Sequence, residues 1–169
     1  MHQVTIYTDG ACLNNPGPGG YGAVLLHNKN GKEIKKELSG GFSNTTNNRM
    51  ELTAVIVGLE ALKAPCTVTV FSDSKYIVDA MSLGWVSKWK RFGWYKGPKS
   101  KERPKNIDLW KRLLAAMESH NVQFKWVKGH AGIPLNERCD QLATEAAVKE
   151  NLPEDIRSDD EYSQVEIGV

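Results

Sequence analysis

The stretch that decides the fold is TNNRMEL at residues 46–52, because it opens the longest apolar helical pattern in the chain. Only three of the side chains between residues 50 and 64 are charged, and a helix that is apolar on nearly all sides is a buried helix. The pattern therefore predicts a buried helix over 50–64 that ends at Pro65. Glu51 then stands near the start of this helix, either as a capping residue that reaches back to Asn48 or as part of a site.

Three more acids stand where predicted elements begin or end. Residues 4–8 predict a first strand that ends at Asp9, and residues 67–71 predict a fourth strand that is followed by Asp73. The crossover through the buried helix makes these strands parallel, so both acids lie at the sheet edge where open α/β sheets place their sites. Asp9 is alternatively a turn residue and Asp73 a helix N-cap. Asp140 lies in the first half of the last predicted helix, where a surface charge is the alternative.

The remaining elements follow from alternation and from helical spacing. Predicted strands cover 21–26, 33–42 and 122–127, and predicted helices cover 75–83, 85–94, 106–120 and 134–150. The first three strands form an antiparallel meander, and a ten-residue loop over 11–20 separates the first two. Residues 151–169 carry an excess of acids, and we expect a tail that is mobile around residues 153–160.

Composition narrows the functional class. The 169-residue chain has the size of one domain and a net charge of +2. Residues 88–112 alone carry ten basic and two acidic residues, and four of the five tryptophans lie between residues 85 and 110. Basic charge interleaved with aromatics is typical of a nucleic-acid backbone reader, although a solvated helix face is the alternative. The three cysteines form no Cys-x-x-Cys pair, and no signal-like or membrane-spanning run is present, so we expect reduced thiols in a soluble cytoplasmic protein.

Taken together, these motifs resemble the type 1 ribonuclease H family of bacteria. The matching segments run in order along the chain: Thr8-Asp9-Gly10, NPGPGGYG at 15–22, TTNNRMEL at 45–52, Asp73-Ser74-x-Tyr76, Trp85-x-x-x-Trp89, Asn106-x-Asp108-Leu109-Trp110, WVKGHAG at 126–132 and NERCD at 136–140. Lys75 departs from the glutamine expected at its position, which leaves fine substrate preference open.

The resemblance implies roles for individual residues. The metal carboxylates of the family correspond to Asp9, Glu51, Asp73 and Asp140, and its mobile histidine corresponds to His130. The substrate contacts correspond to Gly10, Asn15, Thr46, Asn47, Asn48 and Ser74. The aromatic, basic protrusion of the family corresponds to residues 85–105, with Trp85, Lys88, Trp89, Lys90 and Arg91 as its substrate-binding side chains.

The resemblance also implies a fold and an activity. The implied fold is an α/β fold of ribonuclease H type: a five-stranded mixed sheet has strands 1–3 antiparallel, strands 4 and 5 parallel to strand 1, and helices on both faces. The implied catalytic domain covers residues 1–150, with 151–169 as the tail. The implied activity is that of a monomeric endonuclease that cleaves the RNA strand of RNA–DNA hybrids, with no protein partner.

The implied chemistry uses two Mg²⁺ ions, with Mn²⁺ as a substitute, and leaves 5′-phosphate and 3′-hydroxyl ends. Asp9 would bridge both ions, Asp140 would serve the nucleophile side, and Glu51 and Asp73 would serve the other ion. Two other readings stay open: a strand transferase of the same broad superfamily, and a hybrid-binding protein without catalysis. The paired asparagines and the tryptophans disfavour the first, and the intact acid set disfavours the second.

Overall fold

The structure, a computed structural model, describes residues 1–157. Its elements in chain order are β1 (His2–Cys12), β2 (Gly17–Lys29), β3 (Lys32–Thr45), α1 (Asn47–Glu60), β4 (Cys66–Ser72), α2 (Lys75–Ser82), α3 (Trp85–Arg91), α4 (Ile107–Met117), β5 (Asn121–Trp126) and α5 (Pro134–Ala147). None of the helices within residues 1–157 is long and apolar enough to cross a bilayer.

One five-stranded sheet with the order β3-β2-β1-β4-β5 organises the fold. β1, β2 and β3 pair antiparallel, whereas β4 pairs parallel with both β1 and β5. The predicted mixed sheet is therefore confirmed. The parallel pairing of β1 with β4 ends at Tyr7 and Phe71, so Asp9 and Asp73 each come two residues after the last pair and lie at the same edge of the sheet.

Helices cover both faces of the sheet, because successive strand residues point to opposite faces. On one face Ala23 and Leu25 of β2 join the main core, which includes much of α1 and the fully buried Trp110 of α4. On the other face Val24 packs with Cys139 and Leu142 of α5. Each face of the sheet thus carries one of the two helices that bear an acid of interest.

β1 corrects the sequence prediction, since Asp9 and Gly10 do not end it. The strand continues to Cys12, which pairs with Gly19 of β2, and the connecting loop shrinks to residues 13–16. Asp9 is therefore not a turn residue. The prediction failed because an Asp-Gly pair signals a turn only where the partner strand does not continue, and here the glycine-rich start of β2 continues to pair.

The helix starts correct two further interpretations. Thr46 is the N-cap of α1, and its hydroxyl accepts a hydrogen bond of 3.2 Å from the backbone N–H of Arg49, so Glu51 is not the partner of an Asn48 cap. Ser74 is the N-cap of α2, so Asp73 is not. α1 also begins earlier than predicted and ends at Glu60. Neither Glu51 nor Asp73 therefore has the capping role that was the alternative to a role in a site.

Two residues of the predicted tail, Pro153 and Asp155, contact the body of the protein. The backbone N–H of Ser43 donates to the Pro153 carbonyl at 2.8 Å. Asp155 accepts hydrogen bonds from Thr45 and Arg49. The other acids of the tail, from Asp159 on, lie outside the described residues.

Candidate metal centre and substrate surface

Three carboxylates converge where β1, β4 and α1 meet. Asp9, Glu51 and Asp73 each offer an oxygen, and these oxygens all lie within 4.8 Å of one another. Asp9 is only 5% exposed, while Glu51 and Asp73 are half-buried. Three acids from distant parts of the chain therefore share one partly buried position.

Gly10 explains how α1 approaches β1 so closely. A Cβ atom at this position would collide with the backbone of Met50 and Glu51. The N–H of Gly10 also donates to Asp9 Oδ1 at 2.9 Å, which orients that carboxylate. In this structure Gly10 thus has a packing role, whether or not it also contacts a substrate.

Asp140 stands next to this cluster and is not one of the three converging acids. A Cβ at Gly22 of β2 would meet the backbone of Cys139 in α5, and this close packing brings the next residue, Asp140, toward the sheet edge. The negative charge of Asp140 raises the pKa values of Asp9 and Asp73. The structure therefore brings the fourth predicted acid within electrostatic reach of Asp9 and Asp73.

Burial and mutual repulsion raise the pKa values of the carboxyl groups in this cluster and so favour their protonated forms. Burial, with the charges of Asp73 and Asp140, raises the pKa of Asp9 to about 7, although a hydrogen bond with Glu51 acts in the opposite direction. Burial first, and then the charges of Asp9 and Asp73, raise the pKa of Glu51 well above its usual range. Burial likewise raises the pKa of Asp73. Like charges at this spacing disfavour full ionisation unless a cation compensates them.

The donor set fits a hard divalent cation. Carboxylate oxygens are the ligands that Mg²⁺ prefers, and Mg²⁺ is commonly held by a small number of carboxylates. One oxygen of Glu51, Oε2, is buried and has no hydrogen-bond partner among the described residues. A bound cation would interact with this oxygen and relieve the repulsion among the three acids. The cluster should therefore be more stable with a metal bound than without one.

His130 lies in the loop between β5 and α5, beside Asp73. A Cβ at the preceding residue, Gly129, would come within 2.8 Å of Asp73 Oδ2, so the loop runs directly past that carboxylate. His130 is exposed and has a positive φ of 55°. Although burial raises the pKa of Asp73, the positive charge of His130 lowers it. The structure thus places an exposed imidazole at the rim of the acid cluster.

The predicted substrate residues around the start of α1 form one patch. The backbone N–H of Asn47 donates to the side-chain oxygen of Asn15 at 3.1 Å, which links the β1–β2 loop to the helix start. The hydroxyls of Thr46 and Ser74 act as N-caps. Asn48 is exposed. The patch therefore joins the acid cluster through α1, which carries both Asn48 and Glu51.

The α3 segment presents the basic side chains predicted from the sequence. Lys88, Lys90 and Arg91 are all exposed, and Trp85 is 40% exposed. Trp89 instead faces inward and meets Trp110 edge-on with ring centroids 6.0 Å apart. Val86 is the buried residue of α3. Three exposed cations and one exposed indole remain available for a ligand.

Two features of the site escaped the sequence analysis. Arg49 is almost fully buried and pairs with Asp108 and Asp155, although it stands just before the helix that the sequence predicts at 50–64. Trp126 donates its indole N–H to the Asp73 carbonyl at 3.1 Å, while Lys75 lies 4.6 Å from the centroid of its ring. Neither contact has a local sequence signature.

Comparisons with known proteins agree with this architecture. A family model described as RNase H matches residues 1–148. A protein named Ribonuclease H from Desulforamulus reducens is 57% identical over 157 residues, which cover 93% of this chain and 95% of that protein. A second Ribonuclease H, from Rippkaea orientalis, is 56% identical over 153 residues and 90% of each chain.

Solved structures show the same likeness. LC9-RNase H1, described as a type 1 RNase H with the type 2 active-site motif, matches with a TM-score of 0.78 and 33% identity, over 87% of this chain and 72% of that one. LC11-RNase H1 in complex with RNA/DNA hybrid matches with a TM-score of 0.62 and 29% identity, over 85% of this chain and 96% of that one.

Proposed function

The chain belongs to the ribonuclease H family, and from this membership we propose that it hydrolyses the RNA strand of RNA–DNA hybrids and leaves 5′-phosphate and 3′-hydroxyl ends. The observation that carries the proposal is the convergence of Asp9, Glu51 and Asp73 within 4.8 Å. A related protein of known structure was solved in complex with RNA/DNA hybrid, which supports the substrate class. The proposed catalytic domain is residues 1–150, acting as a monomer.

Divalent metal at the acid cluster would be held by Asp9, Glu51 and Asp73, with Asp140 as the fourth acid. We propose Mg²⁺ as the natural ion, with Mn²⁺ as a substitute and two ions present with substrate. The chemistry that bound ions would supply here is activation of a water for in-line attack on the scissile phosphate and neutralisation of the leaving oxygen. The buried, unpaired Oε2 of Glu51 and the raised pKa of Asp9 both indicate that the cluster is built to be compensated by positive charge.

The protein's own groups position the reactants and move protons. The Gly10 N–H donates to Oδ1 of Asp9 and so orients this carboxylate. His130 lies at the exposed rim beside Asp73, where an imidazole can accept or deliver a proton near neutral pH. We propose that His130 assists proton transfer or product departure and does not hold metal.

Recognition of RNA would come from the patch around the start of α1. RNA differs from DNA by its 2′-hydroxyls, which lie in the wide minor groove of A-form-like helices. We propose that Asn15, Asn47 and Asn48, with backbone groups near Gly10, read these hydroxyls. The hydrogen bond from the Asn47 backbone N–H to the Asn15 side-chain oxygen supports this, because it fixes the Asn15 amide at the start of α1. Thr46 and Ser74 would contribute at the phosphate backbone through groups at the two helix starts.

The DNA strand would be bound by the α3 segment. Lys88, Lys90 and Arg91 are exposed on one short helix beside the exposed Trp85, a combination that suits a phosphate backbone and sugar faces. Trp89 would support this surface from beneath, since its ring packs on Trp110. We propose that this segment contributes affinity while the acid cluster contributes the chemistry.

One assay tests the proposed function. Labelled RNA–DNA hybrid, duplex DNA and duplex RNA are each incubated with the protein in Mg²⁺ and in chelator, with Asp9→Asn as the matched control. We expect cleavage of the RNA strand of the hybrid alone, only with metal and only with Asp9 present, and a 5′-phosphate on the downstream product. Cleavage or joining of duplex DNA would instead indicate a strand transferase. Tight binding of hybrid without cleavage would indicate a binding protein.

A further inference from the structure

Lys75 and Trp126 form a pair beside the acid cluster that none of the proposed roles uses. The carboxyl ends of three neighbouring strands follow one another along this sheet edge: β1 carries Asp9, β4 is followed by Asp73, and β5 ends at Trp126. Trp126 pairs in register with Ser72, the residue before Asp73. A nucleic-acid strand that crosses this edge at the acids therefore reaches Trp126 on the neighbouring strand, roughly 5 Å further along.

Trp126 is held in place although it is exposed. Its indole N–H donates to the Asp73 carbonyl at 3.1 Å, and its side chain is nonetheless 44% exposed. An exposed tryptophan with a fixed ring is a poor choice for a merely solvated surface, since an exposed aromatic face is a common platform for nucleic acid. The ring position is thus tied directly to the backbone of a proposed metal ligand.

The ammonium group of Lys75 lies over this ring and is exposed to a ligand. Its Nζ is 4.6 Å from the ring centroid, within the range of a cation–π contact. Lys75 is exposed, and no ion pair with a carboxylate of residues 1–157 involves it. It is also the first residue of α2, where a positive charge opposes the helix dipole and is mildly unfavourable. The helix dipole therefore does not account for a lysine at this position.

We propose that Lys75 binds a phosphate of the cleaved strand that neighbours the scissile phosphate, and that Trp126 is a positioning residue that holds the Lys75 ammonium there. The inference rests on the proposed function, because it assigns a subsite to the same active site. The three acids repel a polyanion, so a strand crossing the sheet edge needs a local cation beyond the metal. Lys75 supplies one within a single strand spacing of Asp73.

The test compares steady-state cleavage of hybrid by the parent, Lys75→Met, Lys75→Arg and Lys32→Met. Lys32 is an exposed lysine at the far β2–β3 turn and serves as the matched control. We expect Lys75→Met to raise KM about three- to tenfold, to change kcat much less, and to reduce the salt slope of kcat/KM by about one. Lys75→Arg should restore both values, and Lys32→Met should resemble the parent.

Trp126 is tested in the same assay. Trp126→Leu should raise KM in the parent and have little further effect in Lys75→Met, because its role acts through the lysine. Trp126→Phe, which keeps an aromatic face, should lie closer to the parent. Equal effects of Trp126→Leu in both backgrounds would overturn its assignment as a positioning residue for Lys75.

Substrates with one uncharged phosphate analogue identify the phosphate that Lys75 contacts. Hybrids carry a single methylphosphonate at successive positions of the RNA strand around the cleavage site. One position beside the scissile phosphate should impair the parent yet have no additional effect on Lys75→Met. If Lys75→Met behaves like Lys32→Met, or if every position impairs both proteins equally, the subsite is overturned while hybrid cleavage stands. If the parent itself leaves the hybrid intact, the proposed function fails instead.

Discussion

Arg49 Nε lies 2.8 Å from Asp155 Oδ2, although 106 residues of sequence separate the two side chains. The arginine is 1% and the aspartate 9% exposed, so the pair is buried. Asp108 at the start of α4 takes the other side of the same guanidinium at 2.8 Å, and Thr45 donates to Asp155 at 2.7 Å. The segment after α5 is therefore fastened to the residues that lead into Asn47, Asn48 and Glu51.

Loss of Asp155 should destabilise the fold. Asp155→Ala leaves the buried Arg49 with one carboxylate partner fewer, and breaking a buried pair costs on the order of 3–5 kcal/mol when no partner remains. Because Asp108 stays, we expect a loss of about 2 kcal/mol or more, measured by urea unfolding at pH 7. Glu37→Ala, which removes the more exposed pair with Arg138, is the control and should cost less than about 1 kcal/mol.

The contribution of the Arg49–Asp155 ion pair to stability should depend on pH. Burial raises the pKa of Asp155, but the hydrogen bonds from Arg49 and Thr45 outweigh it and hold the pKa below its usual value. A carboxylate with a depressed pKa stabilises the fold above its unfolded pKa of about 4 and loses this contribution as the pH falls through the folded pKa. The stability difference between the parent and Asp155→Ala should therefore shrink below about pH 4. A difference that stays constant down to pH 3 would contradict the ion-pair account.

Truncation separates the two parts of the tail. The sequence alone predicts that residues 151–169 are dispensable for hydrolysis, since every motif ends before Glu150. The structure shows that Pro153 and Asp155 of this region contact the body. A chain that ends after Glu150 should be destabilised about as much as Asp155→Ala, and a chain that ends after Arg157, which keeps Asp155, is the control. We expect both to cleave hybrid at a temperature where they are folded. A folded, metal-binding truncation without cleavage would show that residues 151–157 contribute to the reaction.

Metal binding should release protons and weaken in acid. The pKa of Asp9 is about 7, owing first to burial and then to its acidic neighbours, and the pKa of Glu51 is raised as well. A divalent cation requires ionised carboxylates, so below about pH 7 its affinity should fall by up to tenfold per pH unit for each proton that must leave the site. Calorimetric titration of Mg²⁺ or Mn²⁺ in buffers of different ionisation enthalpy counts the released protons. Affinity that is constant between pH 5.5 and about 8, with no proton release, would refute the coupled carboxylate site.

Asp9→Asn should nearly abolish cleavage and should also stabilise the fold. A carboxylate whose folded pKa is raised costs stability as the pH rises from its unfolded pKa of about 4 through its folded pKa. The stability gained by Asp9→Asn in chelator should accordingly be small near pH 4 and reach a few kcal/mol by about pH 8. Paired urea unfolding curves at the two pH values measure it. Near-normal Mg²⁺-dependent cleavage by this variant would refute the site assignment.

His130→Ala should slow turnover much less than Asp9→Asn. The imidazole lies at the exposed rim beside Asp73 and, in the proposed role, assists proton transfer without holding metal. We expect a loss of about 10²-fold or less in kcat, at the low end of what a general acid or base contributes, with Mg²⁺ affinity preserved. A loss equal to that of Asp9→Asn, or weakened metal binding, would show that His130 belongs to the metal centre itself.

Sequence patterns predicted the sheet and the position of two acids because both follow from local periodicity and chain order. Alternation marked the strands, and the helical crossover placed Asp9 and Asp73 at one edge. Helix caps were harder to predict, because Thr46 and Asn48 are both good capping residues. In the structure β3 extends to Thr45 and α1 starts at Asn47, so the cap falls on Thr46. Contacts between distant elements, such as Arg49 with Asp155, leave no periodic signal and could not be predicted.

Neutralising the α3 cations should weaken substrate binding and leave the chemical step largely unchanged. Lys88, Lys90 and Arg91 are exposed, and residues 88–112 are strongly basic in a chain whose remaining residues are net acidic. Each lost phosphate contact removes about 0.9 from the salt slope for duplex DNA. The triple glutamine variant should therefore show a higher KM and a flatter salt dependence, with little change in kcat at saturating hybrid. KM and kcat are measured at several salt concentrations.

The matched control neutralises Lys29, Lys32 and Lys35, three exposed lysines on the β2–β3 hairpin, which changes the net charge by the same amount. If binding depends on overall charge alone, both triple variants should lose affinity equally. A loss confined to the α3 variant would assign the contact to that helix, because the two variants differ only in where the charge is removed. An unchanged KM and salt slope would make α3 a solvated face. A collapse of kcat would instead mean that α3 positions the scissile phosphate, and the proposed separation of affinity from chemistry would be wrong.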